Sequence, residues 1–295
     1  MEVTKVELDK PDALNVRQRR VARTLRAWLD RAEPKTSQVA LAKDLGWSPA
    51  KLNKFLTARV PTPFAEIIAI ATVLHVGDAE RDRVASMARA GMERDAWWRS
   101  YSDALSGDFA DFIQTEAEAT SIWNVEMILV PGLVQTAAYS AALVRSWLPE
   151  PDEALIEERS RLRQQRQSRL TNRENPLKLH AVVHEAALEQ EIGGPDTMRQ
   201  QLDHLLTVAE LPTVTLQLIP KATGAYPGFG ISYVVINFDH AEAGAVYLES
   251  LNSGLYIEES AEVQAYTLNF ERVLTHALPA KATVERIRRI RDGRT

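Results

Sequence analysis

Cysteine is absent from the 295 residues, which excludes disulfides and thiolate zinc sites and fits a reducing compartment. Long apolar runs are missing as well. No stretch approaches the about twenty residues needed to cross a bilayer, and the charged opening MEVTKVELDKPD is no apolar leader. Catalytic signatures are equally scarce. There is no Gly-x-Ser-x-Gly elbow, and GAYPGFG (224–230) lacks the Gly-Lys-Ser/Thr ending of a phosphate-binding loop, so it reads as a hairpin or flap. His180, His184 and Glu185 look like pieces of a zinc motif, but they fall on an expected strand, where four residues span about 13 Å and cannot meet at one metal. The spacing of His204, His240 and His276 points to no site, and Glu249 of VYLES is a strand carboxylate without an assigned partner. These absences predict a cytoplasmic chain with no membrane span, no metal and no cofactor, and not an enzyme.

What is present is an ordinary globular composition, 45% hydrophobic and 25% charged, over a length sufficient for two domains. The net charge of −5 is unevenly divided. Residues 1–92 carry sixteen bases and eleven acids, so this part is +5 and the remainder −10. Between Val16 and Thr62 eleven bases stand against three acids, a local surplus that suits a phosphate backbone. The acidic remainder suits dimerisation, sensing or binding another protein.

The most informative stretch is QVALAKDLGWSPAKLNKF, residues 38–55. Leu41, Ala42 and Leu45 precede Gly46, and Trp47, Leu52 and Phe55 follow it, which is the spacing of a helix-turn-helix. Ala42 permits a close crossing and Gly46 a left-handed turn. Ser48 then caps a second helix that Pro49 opens. Away from Leu52, Phe55 and Leu56, that helix turns Pro49, Ala50, Lys51, Asn53 and Lys54 outward, where lysine can bond guanine edges and asparagine adenine. The competing reading is a helical hairpin with a solvated basic face; spacing, capping and charge together favour DNA.

Around this pair the pattern predicts a loose arm of a dozen residues and a helix from about Leu14 to Ala32. Thr36 and Ser37 offer caps for the next helix. Further helices are expected from Pro61–Pro63 through Leu74 and after Asp78, giving a five-helix domain over 1–92. Residues 93–295 read as a larger α+β domain with a mixed sheet. Trp97, Trp98 and Tyr101 crowd together, and Phe109, Phe112, Ile113 and Ala117 lead on to Trp123, an aromatic group expected to be core rather than a ligand cage. ILVPGLVQT (128–136) breaks at Pro131-Gly132 before another helix. In a charged helix over Asp152–Leu170, Arg159, Arg163 and Arg166 form one stripe, to be either solvated or paired with carboxylates of a partner or of the same domain. Two-residue alternation then marks LKLHAVVH, TVTLQLI, ISYVVINF, AVYLES and GLYIEE as strands. The first pair, with a helix near Thr197–Ala209 between them, suits a parallel crossover, and the later ones suit antiparallel pairing. Helices over Glu262–His276 and Thr283–Ile290 close the chain.

With these residues in hand the chain resembles XRE-type helix-turn-helix regulators that carry an actinobacterial C-terminal domain of unknown function, the Scr-type antitoxin-like transcriptional regulators. The markers are Trp97-Trp98, Glu116, Glu118, LVPGLVQT at 129–136, Tyr139, Arg163-Gln164 through Gln167, HEAAL at 184–188, Gly193, Gln201-Leu202, TLQLIP at 215–220 and VYLES at 246–250. The resemblance implies a cytoplasmic regulator, often encoded beside a small partner protein, that binds double-stranded DNA through its first domain and dimerises or binds its partner through the second. On it, Gln38, Ser48 and Arg59 are expected to hold phosphates while Ala50, Lys51, Asn53 and Lys54 face base edges. Arg159, Arg163 and Arg166 are the candidates for partner binding. Two departures from the family pattern are Leu56, where an acidic residue is common, and Ala58-Arg59, in place of a glycine-containing turn. Two other readings compete: a sequestration module in which DNA binding is secondary, and a repressor sensing a small molecule in a pocket of Trp97, Trp98, Trp123 and Tyr139.

Overall fold

The computed structural model describes residues 14, 16–92, 107–147, 152–238, 244–249 and 254–293. The N-terminal arm, Trp97, Trp98, Tyr101 and His240 lie outside the described residues. The chain divides into two compact units, Met1–Arg99 and Ser100–Thr295.

The first unit carries α1 (Val16–Asp30), α2 (Gln38–Asp44), α3 (Pro49–Leu56), α4 (Phe64–Val73) and α5 (Asp78–Met92). In α1 the buried positions Val21, Ala22, Leu25, Trp28 and Leu29 recur at helical spacing, so one face is apolar. That face meets Leu41, Leu52, Ile67 and Ile70, all fully buried, and these side chains form one core. A polar node fastens the outer helices: Glu80 Oε1 of α5 accepts from Trp28 Nε1 at 2.8 Å and also from Arg31. Burial works against the Glu80 carboxylate, but these two donors outweigh it and hold the carboxyl below its usual range. Arg20 is buried and the exposed Arg31 is paired with Glu80, so part of the basic surplus counted along the sequence is engaged within the unit.

The second unit is α+β. It runs α6 (Gly107–Glu118), β1 (Ser121–Glu126), a 3-10 turn at Gly132–Val134, α7 (Ala137–Trp147) and α8 (Glu153–Gln167). Then come β2 (Lys178–His184), α9 (Glu185–Glu189), α10 (Pro195–Val208), β3 (Val214–Ile219), β4 (Tyr233–Asn237), β5 (Ala245–Glu249), β6 (Gly254–Ile257), α11 (Ser260–Leu274) and α12 (Ala280–Arg291). The six strands make one mixed sheet in the order β3-β2-β1-β4-β5-β6. β2 and β3 pair in parallel through the α10 crossover, and β4, β5 and β6 are antiparallel. The sequence reading assigned no strand to Ser121–Glu126, yet β1 is central, parallel to β2 and antiparallel to β4.

Alternation along β1 sends side chains to two environments. Trp123 and Val125 join the core beneath α11, where Trp123 stacks on Phe270 with ring centroids 5.0 Å apart. Ile122, Asn124 and Glu126 face the opposite side with Phe112 of α6 and Arg163 of α8. Trp123 is thus core, as expected. Tyr139 is fully buried in α7 and its hydroxyl accepts from Val130 N at 3.2 Å, so these two rings do not wall a common pocket. Among the described residues no helix is long and apolar enough to cross a membrane.

Candidate nucleic-acid interface

Local chemistry builds the helix-turn-helix from both ends of its turn. Ser37 caps α2 by accepting from Ala40 N at 3.1 Å, and Ser48 caps α3 by accepting from Lys51 N at 3.2 Å. Between them Gly46 adopts φ +67, a conformation that costs an L side chain about 1–2 kcal/mol. Pro49 occupies the first turn of α3, where its missing amide hydrogen is not needed. Leu52, Phe55 and Leu56 are buried, which fixes the roll of α3 and presents Ser48, Pro49, Ala50 and Lys54 to solvent, with Arg59 exposed just beyond the helix.

Three expected contact residues are tied within the unit. Gln38 Nε2 donates to Asn53 Oδ1 at 3.3 Å, linking the first turn of α2 to the outer side of α3, and Arg26 Nη1 donates to Gln38 Oε1 at 3.4 Å. Both amides are half-buried and held side by side. Lys51 is engaged by its own unit. Its Nζ lies 3.2 Å from Glu66 Oε1 of α4 and 4.1 Å from the centroid of the Trp47 ring, so it braces α3 against α4. Lys54 and Arg59 are exposed and make no ion pair among the described residues. After α3, Ala58 takes φ +52, and Arg59 N bonds Lys54 O at 2.9 Å. The turn for which the family pattern favours glycine is therefore made by an alanine in the left-handed region.

Two arginines of the α8 stripe, Arg163 and Arg166, are hydrogen-bonded within the second unit. Arg166 is buried and forms two parallel bonds to Glu116 of α6, Nε to Oε1 and Nη2 to Oε2, each 2.7 Å. Burial works against its charge, but Glu116 outweighs that effect and raises the guanidinium above its ordinary range. Arg163 donates to Gln135 Oε1 at 2.7 Å and to Ser140 Oγ at 2.5 Å, and burial lowers it to about 10, with the neighbouring Arg166 adding to the effect. The carboxylate that answers this stripe is in the same domain. Arg166 is buried, and Arg163, half-buried, bonds Gln135 of LVPGLVQT and Ser140 of α7. Arg159 lies close enough to Arg163 to oppose its charge. Among the described residues no group of three or more His, Asp and Glu is placed to hold a metal. His184 ends β2 and caps α9, and His180 bonds Gln217 of the adjacent strand, so the two histidines serve different elements.

Sequence reasoning missed Glu66, which decides what Lys51 does, and Asn124, Glu126 and Gln135, which meet Arg163 and Arg166 around one cavity. Glu66 is fifteen residues from Lys51 and no local pattern joins them. The alternation Ile122, Asn124, Glu126 against Trp123, Val125 was the available signal for β1, and its polar members disguised a buried strand.

Residues 16–84 match the helix-turn-helix domain family, and residues 109–289, more than half of the chain, match the family described as a domain of unknown function, DUF5753. No curated protein and no solved structure matches the chain. The exposed recognition-helix face lies inside the first match, and the mixed sheet with its flanking helices lies inside the second. The chain belongs to the DUF5753 family, with the helix-turn-helix domain of a DNA-binding regulator ahead of the domain that defines it.

Proposed function

We propose that this is a cytoplasmic, sequence-specific transcriptional regulator of the XRE, antitoxin-like kind, acting by binding and not by catalysis. The observation that carries the proposal is α3, whose apolar side is locked in the core while Ser48, Ala50, Lys54 and the following Arg59 face outward. Ser48 and Arg59, with Gln38 at the start of α2, suit phosphate contacts. Ala50, Asn53 and Lys54 suit the base edges of a major groove. A helix of eight residues reads few base pairs, so the regulator is expected to act as a homodimer on two half-sites. The test is to recover genomic fragments retained by the purified protein and titrate the tightest with Lys54→Ala and Arg59→Ala across a salt series. Each substitution should weaken binding and reduce the salt slope by about one charge. Unchanged affinity and slope for both would remove this face from the interface.

The charge of −10 beyond residue 92 favours one companion reading, that the C-terminal domain docks a small cognate protein and sequesters it, with DNA binding autoregulatory. A pull-down from cells that yields no stoichiometric partner counts against it.

A further inference from the structure

The second unit encloses a cavity of about 350 Å³ between one face of the sheet and helices α6, α7 and α8. That volume falls within the about 300–1,000 Å³ of small-molecule sites. One wall carries Asn124 and Glu126 of β1 with Tyr247 and Glu249 of β5, and the facing wall carries Arg163, Arg166 and Gln135. Segments far apart in sequence converge here, including ILVPGLVQT, the arginine helix and VYLES. Gly230, at the end of the glycine-rich flap, also reaches it.

The charges around this space are not all matched. Arg166 and Glu116 neutralise each other. Among the described residues Arg163 has only neutral hydrogen-bond partners, Gln135 and Ser140, while the Glu249 and Glu116 carboxylates lie near enough to favour its charge. Glu126 accepts from Asn124 Nδ2 at 3.4 Å and is met by the Ser232 hydroxyl, with no cation in contact among the described residues. A guanidinium and a carboxyl thus border the same cavity with no ion pair between them among the described residues. The lining also includes the apolar Phe109, Ile122, Leu133 and Leu143. The mouth is apolar too: Ile128 and Trp147 line the cavity while remaining 66% and 48% exposed.

We propose that this cavity binds a small amphipathic zwitterion of about dipeptide size, its ammonium group held by Glu126, its acid by Arg163 and its apolar body by the apolar part of the lining. Opposite charges on the β1 and α8 sides of one partly apolar cavity are complementary to a molecule carrying both signs, whereas a ligand of one sign leaves the other group without a counter-charge in the ligand. The site does not depend on the DNA-binding reading. Proton linkage supports the amine end. Burial, with the Glu249 charge adding, pushes Glu126 up to about 7, and the groups facing it are Asn124, Ser232, Glu249 of β5 and Tyr139 of α7. An ammonium placed against Glu126 favours its ionised form, so complex formation near neutral pH expels a proton.

The experiment is isothermal titration of the full chain near neutral pH with three probes: leucyl-phenylalanine, its N-acetyl derivative without the amine, and its C-terminal amide without the acid. The dipeptide should bind saturably and each derivative about tenfold or more weakly, the loss of one charge-assisted hydrogen bond. The apparent enthalpy should change between phosphate and Tris, reporting the released proton. Glu126→Gln should abolish that buffer dependence and the discrimination against the N-acetyl probe, and Arg163→Gln the discrimination against the amide. No saturable binding of the dipeptide, or equal binding of all three probes, overturns the proposal. The probe series needs no variant, so the result stands if a substitution prevents folding.

Discussion

Lys51 and Lys54 share one short helix and one chemistry, yet their surroundings separate them. The ion pair to Glu66 is partly exposed, 41% and 22% for the two side chains, and contributes at most about 1 kcal/mol, with a similar amount from the contact to Trp47. Lys51→Ala should therefore lower the unfolding midpoint of the protein, whereas Lys54→Ala should leave it unchanged; thermal melts of the two variants check this. The buried pair in the second unit is more sensitive. Arg166→Met leaves the Glu116 carboxylate without its guanidinium and should cost about 3–5 kcal/mol in urea unfolding, while Glu116→Leu with Arg166→Met should recover much of that loss. Glu126 acts through protons. Because its carboxyl is raised in the folded protein, the proton is held more tightly there than in the unfolded chain, and this group's contribution is present at low pH and lost as pH rises from about 4.5 to 7. Glu126→Gln should flatten the fall in stability over that interval, measured by urea denaturation at several pH values.

At the scale of elements, α3 shows how a weak local helix becomes a defined surface. Eight residues are too few to be stable alone, so its form depends on the Ser48 cap, Pro49 at the start and three buried side chains. Ser48→Ala should destabilise the first unit by about 1 kcal/mol and also weaken DNA binding, since the same hydroxyl faces outward; a melt and a titration separate the two effects. β1 is the opposite case. SIWNVE has little of the continuous apolar character expected of a central strand, because Asn124 and Glu126 on one of its faces line a cavity. Its place in the sheet follows from pairing with β2 and β4, more than fifty residues away in sequence.

Among the described residues two buried clusters share no residue, one in the first unit with Leu25, Leu41, Leu52 and Ile67 and the other in the second with Val125, Val182, Val235 and Phe270. Calorimetry should accordingly resolve two transitions. Leu25→Ala, at a fully buried site, should cost about 2–5 kcal/mol and lower one transition while leaving the other in place. A single transition lowered as a whole would show that the units unfold together.

The sequence alone determined the five N-terminal helices, the caps and turn of the helix-turn-helix, and five of the six strands with their directions, because each rests on near-neighbour rules of periodicity, capping and turn chemistry. Tertiary structure alone decided which charges are spoken for. Lys51 is claimed by Glu66, Arg31 by Glu80 and Arg166 by Glu116, and Glu126 and Arg163 are left facing one space. Coulomb energy and desolvation depend on distance and burial in three dimensions, and for partners separated by fifteen to fifty residues neither quantity is written in local pattern.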